Sequence, residues 1–357
     1  MKITALDYKI IHIPMKEPFK VTFAEITASE NVIVRLTAEN GETGFGEASP
    51  FAPVTGESTA SVTAALDVFR QGIIGMDVCD FEGVHAMMDH LTVGDTSAKC
   101  AVDIAMYDLL GKLTGLPVYK LLGGACHTVE NDITIGINTP DKMAEAAERY
   151  VKEGFRILKI KIGINPDEDI EALSKIRKAV GPSIRLRVDA NQGYTAQQAV
   201  DVIKKLKPID VEAIEQCLPY WDIRGMAYVR DHASGIKVMA DESLHSPHDA
   251  ERIAREGAAD VMNIKLMKSG GLYPALQINA IAEAAGITCM VGCMMETKIA
   301  ITAGLSLVAS RRNICDADCD SFMYSKDPEM GMPGGFTFSG STFTLSDKPG
   351  LGLDIHF

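Results

Sequence analysis

The chain has 357 residues, 46% hydrophobic and 23% charged, the balance of a folded globular protein and more than one ordinary domain requires. Its net charge of −13, with no basic cluster to offset it, argues against nucleic acid as a partner. No apolar run reaches the ~18 residues of a membrane span, and residues 1 to 15 lack a signal-peptide core, so a cytoplasmic protein with no membrane partner is expected.

Residues 1 to 15 alternate apolar and polar, and residues 31 to 50 read as two strands joined by a turn at Asn40-Gly41. Between them PFKVTFAEITASE is rich in small and β-branched residues without a strong period, which suits a loop folding over an active-site mouth as a lid. From Glu57 to about Gly124 the pattern is helical, and SAKCAVDIAMYDLLGKLTG stops at Gly115 with Pro117 beyond. Strands followed by helices predict an α+β capping domain over residues 1–125. Apolar strand candidates then fall at 131–136, 155–162, 184–190, 211–216, 236–241, 260–266, 287–292 and 313–318, with amphipathic helices such as 140–153, 166–180 and 271–285 between them. That alternation predicts an α/β fold, a closed (β/α) barrel over residues 126–320. The segment 321–357 has strands and turns but no final amphipathic helix, and is expected to return and complete the capping domain. Nothing reads as a linker, so the active site is expected where the two domains meet. The eight cysteines, at 79, 100, 126, 217, 289, 293, 315 and 319, fit no disulfide or zinc spacing and are expected to be reduced core thiols.

Charged side chains end the apolar runs of the barrel half: Lys159 and Lys161, Asp189, Glu215, Asp241, then Lys265 with Lys268. Asp189, Glu215, Asp241 and Lys265 are separated by 26, 26 and 24 residues, the length of one strand, one helix and two short loops. Each therefore falls at the C-terminal end of successive strands, the rim where barrel enzymes carry their catalytic groups. Lys159 and Lys161, two apart on a strand, point to one face. An acid at such a position can cap the next helix. Three acids converging there would repel one another unless neutralised, and an all-oxygen set suits a hard ion, Mg²⁺ before Zn²⁺. Asn191 and Glu242 read as groups that orient those carboxylates. The lysines are candidate general bases whose pKa a neighbouring cation would lower. Lys265 falls four strands beyond Lys161, across the barrel. A carbon acid held between them can lose a proton to one and regain one from the other on its opposite face.

As an ordered set, Lys-x-Lys, Asp, Glu, Asp and Lys on successive strands resembles the enolase superfamily, in its muconate lactonizing enzyme subgroup, from about Lys9 to Leu353. NIKLMKSGG and MVGCMMET resemble its dipeptide epimerase branch. The resemblance implies a modified (β/α)7β TIM-type barrel with a capping domain, in a homo-oligomer. It implies one Mg²⁺ per subunit on Asp189, Glu215 and Asp241, and Lys161 and Lys265 as the catalytic pair. Lys159 would contact a substrate oxygen and Lys268 would tune Lys265. Cys293 and Met295 would line the pocket through backbone groups, with Glu296 beside them, and Thr134 would touch the substrate. An Asp-x-Asp pair, Asp318 and Asp320, would bind the α-ammonium of a dipeptide; Asp316 matches if the loop is shifted by two.

Two departures from the family pattern bear on substrate. Members acting on Ala-Glu carry a lid arginine, where this chain has Ala24. Lys20 is the only cation of that segment; Phe19, Phe23 and Ile26 favour an apolar substrate side chain, while Glu25 leaves a cationic one open. Cys217 stands where a proline is usual, with Tyr220-Trp221 beyond it. The expectation is a Mg²⁺-dependent isomerase that inverts the α-carbon of a dipeptide's C-terminal residue, favouring small or apolar residues over Ala-Glu. Its rivals are an N-acyl amino acid racemase, a muconate cycloisomerase, an o-succinylbenzoate synthase, and a non-catalytic binding protein on the same scaffold.

Overall fold

The alternation of the first fifty residues becomes a three-stranded antiparallel sheet of β1 (Ile3–Val21), β2 (Ala24–Ala38) and β3 (Thr43–Ala48), in that order. Gly41 makes the second turn, with φ +86° and its N–H donating to the Ala38 carbonyl at 2.9 Å, a conformation that glycine adopts without steric cost. The computed structural model that shows this describes residues 1–124 and 126–357. Ala125, where the sequence ends the capping domain, lies outside the described residues.

The inner face of the sheet, with Ile3, Leu6, Val32, Val34 and Leu36, packs on the helices that follow. These are the short α1 (Ala52–Thr55), then α2 (Thr59–Ile73), α3 (Phe81–Leu91), α4 (Thr96–Thr114) and the single turn α5 (Val118–Leu121). α4 lies directly on β3 because Gly44 and Gly46 carry no side chain to strike its backbone at Ala105 and Ala101.

The expected lid loop is instead the far end of a hairpin. β1 continues to Val21, so Phe19 faces Ile26, Lys20 faces Glu25 and Val21 faces Ala24, with only Thr22 and Phe23 in the turn. An irregularity between Pro14 and Phe19 breaks the register, which is why the period-two pattern fades there while the β-branched content persists.

All eight barrel strands form: β5 (Ile133–Ile135), β6 (Ile157–Lys161), β7 (Arg185–Asp189), β8 (Val211–Glu215), β9 (Lys237–Ala240), β10 (Val261–Lys265), β11 (Thr288–Gly292) and β12 (Ile314–Asp318). They pair in parallel in chain order. Outside them lie α6 (Pro140–Lys152), α7 (Pro166–Val180), α8 (Ala196–Leu206), α9 (Ile223–Asp231), α10 (Pro247–Glu256), α11 (Leu266–Ser269), α12 (Leu272–Ala284) and α13 (Lys298–Ser310). Proline in the first turn starts α6, α7 and α10, where its missing N–H costs nothing.

Between β12 and β5 the barrel closes through one isolated parallel bridge, Asn131 with Ala317. There the Asp132 N–H donates to the Ala317 carbonyl at 3.0 Å, and the Asn131 Oδ1 accepts the Cys319 N–H at 2.8 Å.

β4 (Thr128–Glu130), β13 (Phe336–Ser339) and β14 (Thr342–Leu345) form a small antiparallel sheet under the N-terminal ends of the barrel strands. Ser341 ties it there, accepting the Arg156 N–H and donating its own to Gly154 just before β6. The chain then runs back to the first sheet, where the Phe357 ring sits 6.0 Å from Phe45 and 4.4 Å from the Arg35 guanidinium.

All eight cysteines are free thiols, but only Cys100, Cys217, Cys289 and Cys319 are core. Cys79 and Cys126 fall in exposed connections, Cys315 faces outward on β12 and Cys293 is half-buried at the cavity, so the core expectation is corrected for these four. Among the described residues no helix is long and apolar enough to cross a membrane.

Candidate active site

Parallel pairing sets Lys161 of β6 beside Asp189 of β7, and Asp189 beside Glu215 of β8. Asp241 follows β9 and Lys265 ends β10, so five successive strands deliver charge to one rim. One carboxylate oxygen from each of Asp189, Glu215 and Asp241 lies within 4.8 Å of the others, and all three residues are buried. Lys161 Nζ donates to Asp189 Oδ2 at 2.6 Å, and Lys265 Nζ lies 2.8 Å from Asp241 Oδ2. Four strands apart in a barrel of eight, the two amines approach from opposite sides.

Lys159, expected against a substrate oxygen, is only 1% exposed and turned into the acids. Its Nζ stands 2.7 Å from Asp318, 2.8 Å from Glu215 and 3.1 Å from Asp189. Burial acts to lower its pKa, and the Asp318, Glu215 and Asp189 carboxylates overcome that and raise it. Lys265 is also raised: burial opposes protonation, but Asp241 outweighs it. In both, the ammonium answers its neighbours' negative charge. Lys268 behaves otherwise. It is fully buried, 2.5 Å from Asp241 Oδ1 and bonded to the Asp241 carbonyl, and burial lowers its pKa. Burial works to raise Asp189, yet Lys161 and Lys159 bring it down to about 2, while burial and Asp189 push Glu215 up to about 8.

Lys161, Asp241 and Lys265 border a cavity of about 500 Å³ under the hairpin. Lys161, Asn191, Asp241 and Lys265 form one wall, Thr134, Asp318 and Asp320 another, and Cys293 and Met295 a third. Lys159, Asp189 and Glu215 do not reach its surface. Thr134 donates its N–H to Asp320 at 2.7 Å and its hydroxyl to Asp318 at 3.2 Å. Burial, then Asp318, raises Asp320 to about 6. Asp316 is half-buried and off the cavity wall, 2.5 Å from the Arg187 guanidinium and 3.2 Å from that of Arg185.

Met295 lines the cavity as expected, and its carbonyl ties that loop to the capping domain, accepting from Asn31 Nδ2 at 2.7 Å and Ser49 Oγ at 2.9 Å. Cys293 Sγ lies 3.9 Å from Asp320 Oδ1. Glu296, raised by burial to about 8, accepts the Met294 N–H and shapes that loop. Asn191 donates its N–H to Asp189 at 2.9 Å and its amide to Glu242 at 3.1 Å. Asn191 Oδ1 and Glu242 Oε2 are buried with no hydrogen-bond partner beside the three acids.

Ala24, Phe23, Glu25 and Ile26 of the hairpin roof the cavity, whereas Lys20 points elsewhere. Cys217 is buried, and Tyr220 and Trp221 lie out on the surface, 57% and 64% exposed and off the cavity wall. Two groups escaped the sequence reading. Tyr324, in a 3₁₀ turn after β12, donates its hydroxyl to Asp320 at 2.6 Å, and nothing in DSFMY announces it. Arg187 did leave a signal: Arg185, Arg187 and Asp189 are charges at alternate positions of one apolar strand.

Residues 5–123 match the N-terminal domain of the mandelate racemase / muconate lactonizing enzyme family, and residues 142–356 match the enolase C-terminal domain-like family. An L-Ala-D/L-Glu epimerase of Clostridium acetobutylicum is 41% identical over 348 residues, covering 96% of each chain. A hydrophobic dipeptide epimerase of Enterococcus faecalis is 42% identical over 322 residues, 90% of this chain and 91% of that one. A crystal structure of a dipeptide epimerase from Enterococcus faecalis complexed with Mg and the dipeptide L-Leu-L-Tyr superposes with a TM-score of 0.96, at 40% identity, over 99% of this chain and 100% of that one. The protein belongs to the enolase superfamily, in its mandelate racemase and muconate lactonizing enzyme family, and is an isomerase of the epimerase and racemase kind.

Proposed function

We propose that this protein is a Mg²⁺-dependent dipeptide epimerase that inverts the α-carbon of the C-terminal residue by proton transfer between Lys161 and Lys265. The observation that carries the reading is the opposition of those two amines across one cavity, with three buried acids between them. Three carboxylate oxygens within 4.8 Å of one another, beside the orphaned oxygens of Asn191 and Glu242, fit a hard divalent ion. Asp189, Glu215 and Asp241 would hold it, and bound there it would supply stabilisation of negative charge developing on the substrate carboxylate.

The chain's own groups do the rest. One lysine removes the α-proton and the other delivers a proton to the opposite face, so the configuration inverts. Asp318 and Asp320, held in place by Thr134 and Tyr324, pair with the α-ammonium of the first residue. Lys159 offsets the charge of Asp189, Glu215 and Asp318 from below. The hairpin and the cap exclude water from the reacting carbon.

Phe19, Phe23, Ile26, Phe51 and Val54 line the cap side of the cavity, and among the described residues no Lys or Arg besides Lys161 and Lys265 lines it. That supports apolar or small side chains over glutamate, in line with the hydrophobic dipeptide epimerase and the L-Leu-L-Tyr complex among the relatives. A dipeptide library incubated with enzyme and Mg²⁺ in deuterated water tests this by mass. Apolar dipeptides are expected to exchange one α-proton and to invert; if the enzyme binds Mg²⁺ and no dipeptide exchanges, the proposal fails. Asp318→Asn with Asp320→Asn separates the rivals, since it abolishes dipeptide turnover and spares N-acyl substrates, which have no ammonium.

A further inference from the structure

The turn of the β1–β2 hairpin reaches the barrel through one side chain. Thr22 is half-buried, and its hydroxyl lies 2.8 Å from the Ile162 carbonyl and 3.1 Å from the Ala190 carbonyl. It has one proton to share between them. Ile162 directly follows Lys161, and Ala190 directly follows Asp189, so Thr22 grips the backbone one residue beyond a candidate base and a candidate metal ligand.

The receiving shelf is built for this approach. Gly163 sits at φ +109°, and a Cβ there would run into the Ala190 carbonyl and come within 3.1 Å of the Thr22 hydroxyl oxygen. Asp169 steadies the shelf, accepting the Gly163 N–H at 3.0 Å and the Tyr194 hydroxyl at 2.6 Å. Beside it the Ile137 N–H, beyond β5, donates to the Lys20 carbonyl at 2.9 Å, over Gly136, whose missing side chain leaves room for the hairpin backbone. The hairpin thus touches the ends of β5, β6 and β7. The Thr22 hydroxyl makes both bonds to the ends of β6 and β7, while Val21 beside it turns into the cavity and the Phe19 ring packs on Tyr324 at 4.9 Å.

We propose that Thr22 is the latch of the hairpin: by bonding to the Ile162 and Ala190 carbonyls it holds the hairpin closed over the cavity and so governs how readily substrate escapes. It is a positioning residue, touching neither substrate nor reacting atoms, and its kinetic consequence rests on reading the cavity as the dipeptide site.

Thr22→Val keeps the shape and removes the hydroxyl, whereas Thr22→Ser keeps the hydroxyl and removes the methyl. Hydrogen–deuterium exchange without substrate reads the latch alone. In the Val variant, amides of residues 19–26 are expected to exchange about fivefold faster, as losing one hydrogen bond implies, while residues 32–36, paired to β3, keep their rate. The Ser variant should exchange like the unaltered protein. On a dipeptide the enzyme turns over, Val should raise KM about fivefold with kcat within about twofold, and Ser should restore KM. Unchanged exchange in the Val variant overturns the proposal, as does Ser behaving like Val, or a fall in kcat at constant KM. If no dipeptide is turned over, the functional reading fails while the exchange result still decides the latch.

Discussion

The two lysine flanks of the site follow one plan in different surroundings. Lys161 at the end of β6 bonds the acid on the next strand, and Lys265 at the end of β10 bonds the acid following the strand before it. Around Lys161 the rim is capped by the hairpin, whose Thr22 hydroxyl bonds to the Ile162 and Ala190 carbonyls. Around Lys265 the rim is closed by helix packing. Asp241 is also held by the fully buried Lys268 of α11, and Asp103 of α4 caps the start of α12 through the Leu272 and Tyr273 N–H groups while His85 lies 2.9 Å away. The two flanks are thus held by different means, a hairpin on one and helix packing on the other. The barrel supplies the symmetry, and the cap confines access to one side.

The largest expected effect tests that symmetry. Lys161→Ala and Lys265→Ala should each cost inversion about 10³-fold, and each variant should still exchange the α-proton of one stereoisomer, a different one in each. NMR in deuterated water with separate L,L and L,D dipeptides reads this; loss of exchange from both isomers in either variant would break the pairing of the flanks. Next, Lys268→Met frees one oxygen of Asp241 on the closed flank, so Mg²⁺ affinity by titration calorimetry should fall about 10–100-fold. Unchanged affinity would mean that Lys268 only fills space. On the hairpin side, Ala24→Arg gives a glutamate side chain a partner and should raise kcat/KM for Ala-Glu about tenfold, the worth of roughly one good ion pair. Its failure would show that the hairpin does not read the substrate. Smallest of all, Tyr220→Ala with Trp221→Ala lies outside both flanks and should leave kcat/KM within about twofold and the melting temperature nearly unchanged.

The parts legible in sequence were those that repeat. Charges at the ends of apolar runs, spaced by one strand and one helix, fall on one rim at Lys161, Asp189, Glu215, Asp241 and Lys265. The amphipathic stretches 140–153, 166–180 and 271–285 fall on α6, α7 and α12 by the same local physics. What escaped was set by contacts between distant segments. The hairpin hid behind a register break at Pro14, and Thr22 bonds to backbone carbonyls, which carry no sequence signature. Lys159 was read for its direction along the strand, but three acids from other strands decide where its ammonium rests. Asp316 and Asp318 lie two apart on one face of β12, and only the reach of Arg187 from β7 draws Asp316 into an ion pair while Asp318 walls the cavity.

The closure of the barrel carries a mechanical consequence. β10 and β11 share five registered pairs, whereas among the described residues β12 meets the start of the first barrel strand through the Asn131–Ala317 backbone bridge. Side chains complete the joint: Thr134 on one side of it bonds to Asp318 and Asp320 on the other. The same two acids thus stitch the cylinder shut and face the cavity, so a change of charge at either would be felt in the barrel's closure as well as in the pocket.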